Sequence, residues 1–121
     1  MEIHEIRLFI PCKDYEKSKI FYAALGFEAE SAGDELTIFT KNGCTFFLQN
    51  KFYGEEFSQN LMLQLIVKNI DEAYGLVSNL ADYDIKLSDI KYSEIQEEHW
   101  GRVVYLWGPS GELWHITELR R

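Results

Sequence analysis

Three histidines and two cysteines are the residues best suited to chemistry in this chain, and their spacing decides how much of it is open to them. His115 lies in "GELWHITE", whose period-two pattern reads as a strand: Leu113, His115 and Thr117 project from one face, and Glu112, Trp114 and Ile116 from the other. An imidazole there can hold a metal, move a proton near neutrality, meet a ligand, or sit hydrogen-bonded in a core. No carboxylate at a recognisable spacing orients it, so no catalytic residue is assigned. His99 falls in a loop before "WGRVV", and His4 near the N-terminus. Cys12 and Cys44 stand alone, without CxxC or paired spacing, and read as free thiols rather than as a disulfide or a zinc-thiolate site.

The elements that must position these residues repeat. "IHEIRLFIP" alternates Ile6, Leu8 and Ile10 against Glu5, Arg7 and Phe9, the signature of a strand buried on one side. A helix follows, with Asp14 as N-cap, Glu16 in its first turn, Ile20, Phe21, Ala24 and Leu25 as its apolar stripe, and Gly26 as its stop. Three β segments come next, near "FEAES", "ELTIFT" and "CTFFLQ", divided by "AGD" and "KNG" turns. The second half runs the same course. "LMLQLIV" is an apolar strand, and Asn69 caps a helix with a stripe of Ile70, Ala73, Leu76, Val77 and Leu80. The closing β segments lie near "IKLSDIKY", "GRVVYLW" and "ELWHITE". A slide of 55 residues puts Asp14 on Asn69, Phe21 on Leu76 and Arg7 on Met62; a slide of 68 puts Gly43 on Gly111 and Phe47 on His115. The expected fold is therefore α+β, a single domain of two βαβββ modules, about 1–52 and 61–121, with a connector at about 53–60. In "GPSG", Pro109 presets the second position of a tight turn and Gly111 relieves its last. The register that sets which way Tyr105 and Trp107 face stays open.

At 121 residues, 46% hydrophobic and 15% aromatic, the chain can bury one core and has aromatic surface left for a ligand. Its net charge of −8 repels nucleic acid and acidic membranes and steers cations toward it. No apolar run approaches the roughly 18 residues a membrane helix needs, and "MEIHEIR" lacks the pattern of a secretory leader. The expectation is a soluble, cytoplasmic protein with no nucleic-acid or membrane partner.

Three stretches carry a resemblance: "KDYEKSKIFYAALGFEAE", "VKNIDEAYGLV" and "HWGRVVYLWGPSGELWHI". Over nearly its whole length the chain resembles the vicinal oxygen chelate superfamily, which groups glyoxalases, bleomycin resistance proteins and extradiol dioxygenases. It departs from that pattern at Gly108 and Ser110, where relatives usually carry aspartates that cap the turn. The resemblance implies that the curved sheets of the two modules enclose a ligand cavity. It also implies that metal-dependent members place their ligands at the positions of Arg7, Phe47, Met62 and His115. Those four side chains do not supply the imidazoles and carboxylates that a divalent ion needs, and cationic Arg7 would repel one. His4, an odd step from Arg7, would face away from the cavity.

The expectation is thus a metal-free, cofactor-free binding protein similar to the bleomycin-resistance branch. It would sequester a small aromatic or cationic molecule and act as a homodimer. Arg7, Phe9, Phe47, Met62, Gln64, Trp100 and His115 are its candidate ligand-binding residues. A core role for His115, and packing roles for Phe47 and Trp100, compete with that reading. The alternative function is a metal-dependent lyase or dioxygenase of the same superfamily.

Overall fold

Asp14 and Asn69 each cap a helix, their side chains accepting the N–H of Lys17 and Glu72 at 3.1 Å. In the computed structural model, which describes residues 1–120, these helices are α1 (Tyr15–Ala24) and α3 (Ile70–Val77). α1 ends where the sequence predicts, with Gly26 at φ +100° beyond Leu25.

The first half contributes β1 (Phe9–Pro11), β2 (Glu28–Ser31), β3 (Leu36–Lys41) and β4 (Cys44–Gln49). The second contributes β5 (Met62–Ile66), β6 (Gln96–Glu98), β7 (Gly101–Trp107) and β8 (Leu113–Leu119). Two further helices, α2 (Glu55–Asn60) and α4 (Leu80–Tyr83), are short. The strands form two four-stranded mixed sheets of matching order, β1-β4-β3-β2 and β5-β8-β7-β6. β1 runs parallel to β4 and β5 parallel to β8, and the other pairs are antiparallel. The sheets are curved and do not close on one another. In the first parallel pair Phe9 stands opposite Phe47, and in the second Gln64 stands opposite His115. The slides of 55 and 68 residues turn one pair into the other, so the two parallel pairs correspond residue for residue, while the β3 and β7 partners, Ile38 and Tyr105, are one residue off the slide of 68.

Alternation along the strands gives each sheet a helix-covered face. Ile10, Phe39, Phe46 and Leu48 are buried there in one sheet, and Val104, Leu106, Trp114 and Ile116 in the other. Burying a side chain of this size contributes about 1.5–3 kcal/mol. Tyr22 of α1 joins the two halves. Its ring lies 5.0 Å from that of Phe46 and 5.9 Å from that of Trp114, and Phe46 and Trp114 are themselves 5.9 Å apart. Among the described residues no helix is long and apolar enough to cross a membrane.

Three sequence expectations are corrected. β1 begins only at Phe9, so the strand read from Ile3 onward is mostly absent; Ile6 is 79% exposed. The alternation is present, but no second layer covers Ile3 and Ile6, and a strand is stabilised by packing on its face more than by intrinsic preference. "IKLSDIKY" holds a 3-10 turn at Ile85–Leu87, capped by the Asp84 carboxylate on the Lys86 N–H at 2.9 Å, and the strand comes later, at Gln96–Glu98. Leu87 and Ile90 pack on the core three residues apart, a turn-like spacing that a period-two reading misses. The second helix stops at Val77, where Ser78 Oγ and Asn79 Nδ2 both donate to the Gly75 carbonyl and compete with the helix, and Leu76, expected in its apolar stripe, is exposed instead.

Candidate functional site

The faces turned away from the helices carry most of the expected site residues. In the second sheet the strand register lines up one row: Gln64 on β5 stands beside His115 on β8, which stands beside Tyr105 on β7. The next row is Met62, Leu113 and Trp107. This settles the facing of Tyr105 and Trp107, which lie on the same side as His115. The Tyr105 and His115 rings meet edge to face at 5.1 Å, an arrangement favoured by the aromatic quadrupole. Gln64 Nε2 donates to Thr117 Oγ1 at 3.4 Å, and that hydroxyl donates to the His115 carbonyl at 3.1 Å. His115 Nε2 is buried and has no hydrogen-bond partner among the described residues.

In the first sheet Phe9 and Phe47 stack at 4.5 Å with their planes 19° apart. The Arg7 guanidinium lies 5.7 Å from the centre of the Phe47 ring, within cation–π range. Its Nη2 donates to Glu5 Oε1 at 2.8 Å. Arg7 is thus off the strand, exposed, and paired with Glu5 of its own segment, whereas the sequence placed it on the first strand, at the position equivalent to Met62 of the second module. The physical reason is the missing cover over residues 3–8.

The open faces are unusually apolar for exposed surface: Phe9 is 51% exposed, Met62 64% and Ile66 52%. The structure brings Phe9 to Phe47 with Arg7 above, and Gln64 to His115. No hydrogen bond or ring contact among the described residues links these two groups. Trp100 stands apart, in the turn between β6 and β7. Its ring meets that of His99 at 4.9 Å, and its carbonyl accepts the Arg120 N–H at 2.8 Å. Two grooves lie elsewhere. One of about 590 Å³ runs between Lys13, Lys17, Glu55, Asp89, Trp107 and the 108–111 turn. The other, of about 530 Å³, is lined by Arg102, Glu118 and Arg120.

As a metal site the open face is poor in donors. Among the described residues no three His, Cys, Asp or Glu side chains come together. Of Arg7, Phe47, Met62 and His115, only His115 offers a lone pair that a borderline ion favours.

Sequence reasoning missed a buried polar chain under the last turn. Glu112 is 1% exposed. Its Oε2 accepts the Tyr22 hydroxyl at 2.7 Å and its Oε1 accepts the Ser110 N–H at 3.0 Å, while Trp114 Nε1 donates to the Tyr22 oxygen at 3.1 Å. Burial pushes the Glu112 carboxyl above its ordinary value of 4.5, against the pull of the Tyr22 hydrogen bond. Tyr22 is pushed well up, first by its burial and then by the Glu112 charge. The signal was legible: alternation puts Glu112 on the same face as Trp114 and Ile116, where a carboxylate must find partners.

No family model matches the sequence, and no curated protein matches it. Solved structures do match in fold. A bleomycin resistance determinant encoded on the transposon Tn5 superposes with a TM-score of 0.77 at 14% identity, over 98% of this chain and 100% of that one. TnmS3, an antibiotic binding protein from a Streptomyces species, gives 0.77 at 19% identity over 99% of both chains. A bleomycin-binding protein from Streptomyces verticillus, complexed with copper(II)-bleomycin, gives 0.74 at 15% identity, again over 99% of both. At these identities the likeness is one of fold.

Proposed function

We propose, from the fold this chain shares with bleomycin resistance and antibiotic-binding proteins, that it binds a small aromatic or cationic molecule on its open sheet faces and holds it without a metal ion and without changing it. The observation that carries the reading is the pairing of exposed apolar surface with a few polar handles. Phe9, Arg7 and Gln64 are exposed, while Phe47, His115 and Tyr105 beside them are partly buried. Ligand sites combine such apolar walls with a small number of placed polar groups. The net charge of −8 favours a cationic ligand over an anionic one.

A second copy of the chain, bringing its own open faces, would enclose the ligand, so the working form in this reading is a homodimer with two equivalent sites.

Calorimetric titration and thermal shift with metal-free bleomycin, then with a panel of cationic and aromatic compounds, test the proposal. A binder of the folded state raises the melting temperature in step with its concentration. Ligand recovered from the complex should have unchanged mass, and light scattering should give twice the chain mass. Flat titrations across the panel, or a product of altered mass, would overturn it.

A further inference from the structure

We infer that Glu112 is an acid-sensitive clasp between the two halves of the molecule: its buried carboxylate ties α1, through Tyr22, to the 108–111 turn, and a proton taken up there loosens that turn. The direction of the hydrogen bonds carries the argument. The Trp114 indole can only donate, so the Tyr22 oxygen accepts from it and the Tyr22 proton goes to Glu112 Oε2. A backbone N–H can only donate, so Oε1 accepts from Ser110. Both oxygens are therefore acceptors and neither is a donor, which an ionised carboxylate satisfies with no hydrogen left over. A carboxylic acid can still accept at both oxygens, but its new O–H needs an acceptor of its own; the nearest, the Tyr22 oxygen, serves only if the Tyr22 proton turns away from Glu112, so uptake either reverses that bond or leaves a buried hydrogen without a partner.

The surroundings leave that proton no easy partner. The groups facing Glu112 are Tyr22 from α1, Cys12 beyond β1, and Gly108 and Ser110 in its own turn. Asp14 and Lys19 act on Cys12 from farther out. Among the described residues Glu112 makes no ion pair, so no cation holds the charged form in place. Burial favours taking up the proton, the Tyr22 hydroxyl and the backbone N–H groups of Glu112 and Ser110 favour the ion, and burial prevails.

The turn is placed to pass the change on. Ser110 Oγ accepts the Lys13 N–H at 3.1 Å, so the turn is tied to the β1–α1 segment as well. The turn, Lys13 and Trp107 are walls of the 590 Å³ groove. Loosening the clasp therefore alters the groove and the surroundings of Trp107 and Trp114 together, while the sheets persist.

The sign of the linkage follows. Because the folded-state pKa lies above the unfolded value near 4.5, the folded chain takes up this proton first. The group's contribution to stability is full below pH 4.5 and is lost as pH rises through the folded pKa. As pH falls, then, the folded chain takes up this proton at a pH above 4.5, where uptake adds to stability and does not by itself unfold the molecule.

Near-ultraviolet circular dichroism and tryptophan fluorescence between pH 8 and 4, with far-ultraviolet dichroism in parallel, test this. The wild-type chain should show a one-proton transition above pH 4.5 in the first two signals and none in the third. Glu112→Gln should lack the transition and resemble the acid form at every pH. Tyr22→Phe removes a bond that holds the carboxylate ionised, so its midpoint should move to higher pH. An unaltered transition in Glu112→Gln, or no wild-type transition before acid unfolding, overturns the inference. If Glu112→Gln does not fold, Tyr22→Phe decides it: an unmoved midpoint overturns the clasp and an upward one supports it.

Discussion

Gly108 makes room for the carboxylate of Glu112: a Cβ built at 108 would overlap the Glu112 carboxyl group, with both oxygens within 2.6 Å. The two residues form one device, a notch and the group that fills it. The cap of this turn comes from Glu112, which reaches back to the Ser110 N–H.

Gly108→Ala should destabilise the chain by about 1–3 kcal/mol through this overlap. Glu112→Ala should cost about 1–3 kcal/mol by leaving Tyr22 and Ser110 donors buried without an acceptor. Together they should cost less than their sum by about 1 kcal/mol, because removing the carboxylate empties the space that the alanine methyl needs. Denaturant unfolding of the two single variants and the double variant measures this. Strict additivity would separate the notch from the carboxylate.

Cys12 is 1% exposed and burial pushes its thiol up to about 11, whereas Cys44 is exposed. Thiolate is the reactive form, so both access and ionisation protect Cys12. At pH 8 a disulfide-exchange reagent should label one thiol per native chain promptly and two after denaturation. Mass mapping should place the first label on Cys44. Rapid labelling of Cys12 in the folded chain would contradict this burial.

The helix caps, the Gly26 stop, the strand alternation and the repeat were all legible because each rests on local chemistry or a fixed period. Phe47 and His115 could be paired by sliding the sequence, and the strand register places them at equivalent positions. Arg7 could not be placed, since its alternating neighbours look the same whether or not another layer covers them. Glu112 went unread for the opposite reason: its pattern was visible, but its partner Tyr22 lies 90 residues away in sequence. Tyr105 waited on a register that the turn alone did not set.

Phe46 and Phe47 are neighbours on opposite faces of β4, and truncating them should separate stability from binding. Phe46 is 6% exposed and packs against Tyr22 and Trp114, so Phe46→Ala should cost about 3–5 kcal/mol. Phe47 is half-covered and stacked on Phe9, so Phe47→Ala should cost well under half of that. For any ligand found by titration, Phe47→Ala should weaken affinity at least about tenfold, a loss of about 1.4 kcal/mol. Phe47→Ala binding as well as the wild type would remove the first sheet from the site.

The metal content of the protein follows from the same face. His115 has Gln64 and Tyr105 beside it in register and, among the described residues, no group of carboxylates, thiolates or imidazoles with which to complete a coordination shell. A tight divalent site needs about three or four such donors converging near 2 Å, and one imidazole alone binds weakly. Protein purified without chelators should therefore carry zinc, nickel, iron and manganese well below one equivalent. Added zinc or nickel should leave the melting temperature unchanged, since a ligand that does not prefer the folded state cannot raise it. His115→Ala should behave like the wild type in both measurements. A stoichiometric ion that disappears in His115→Ala would replace the binding-protein reading with metal-assisted chemistry at this row.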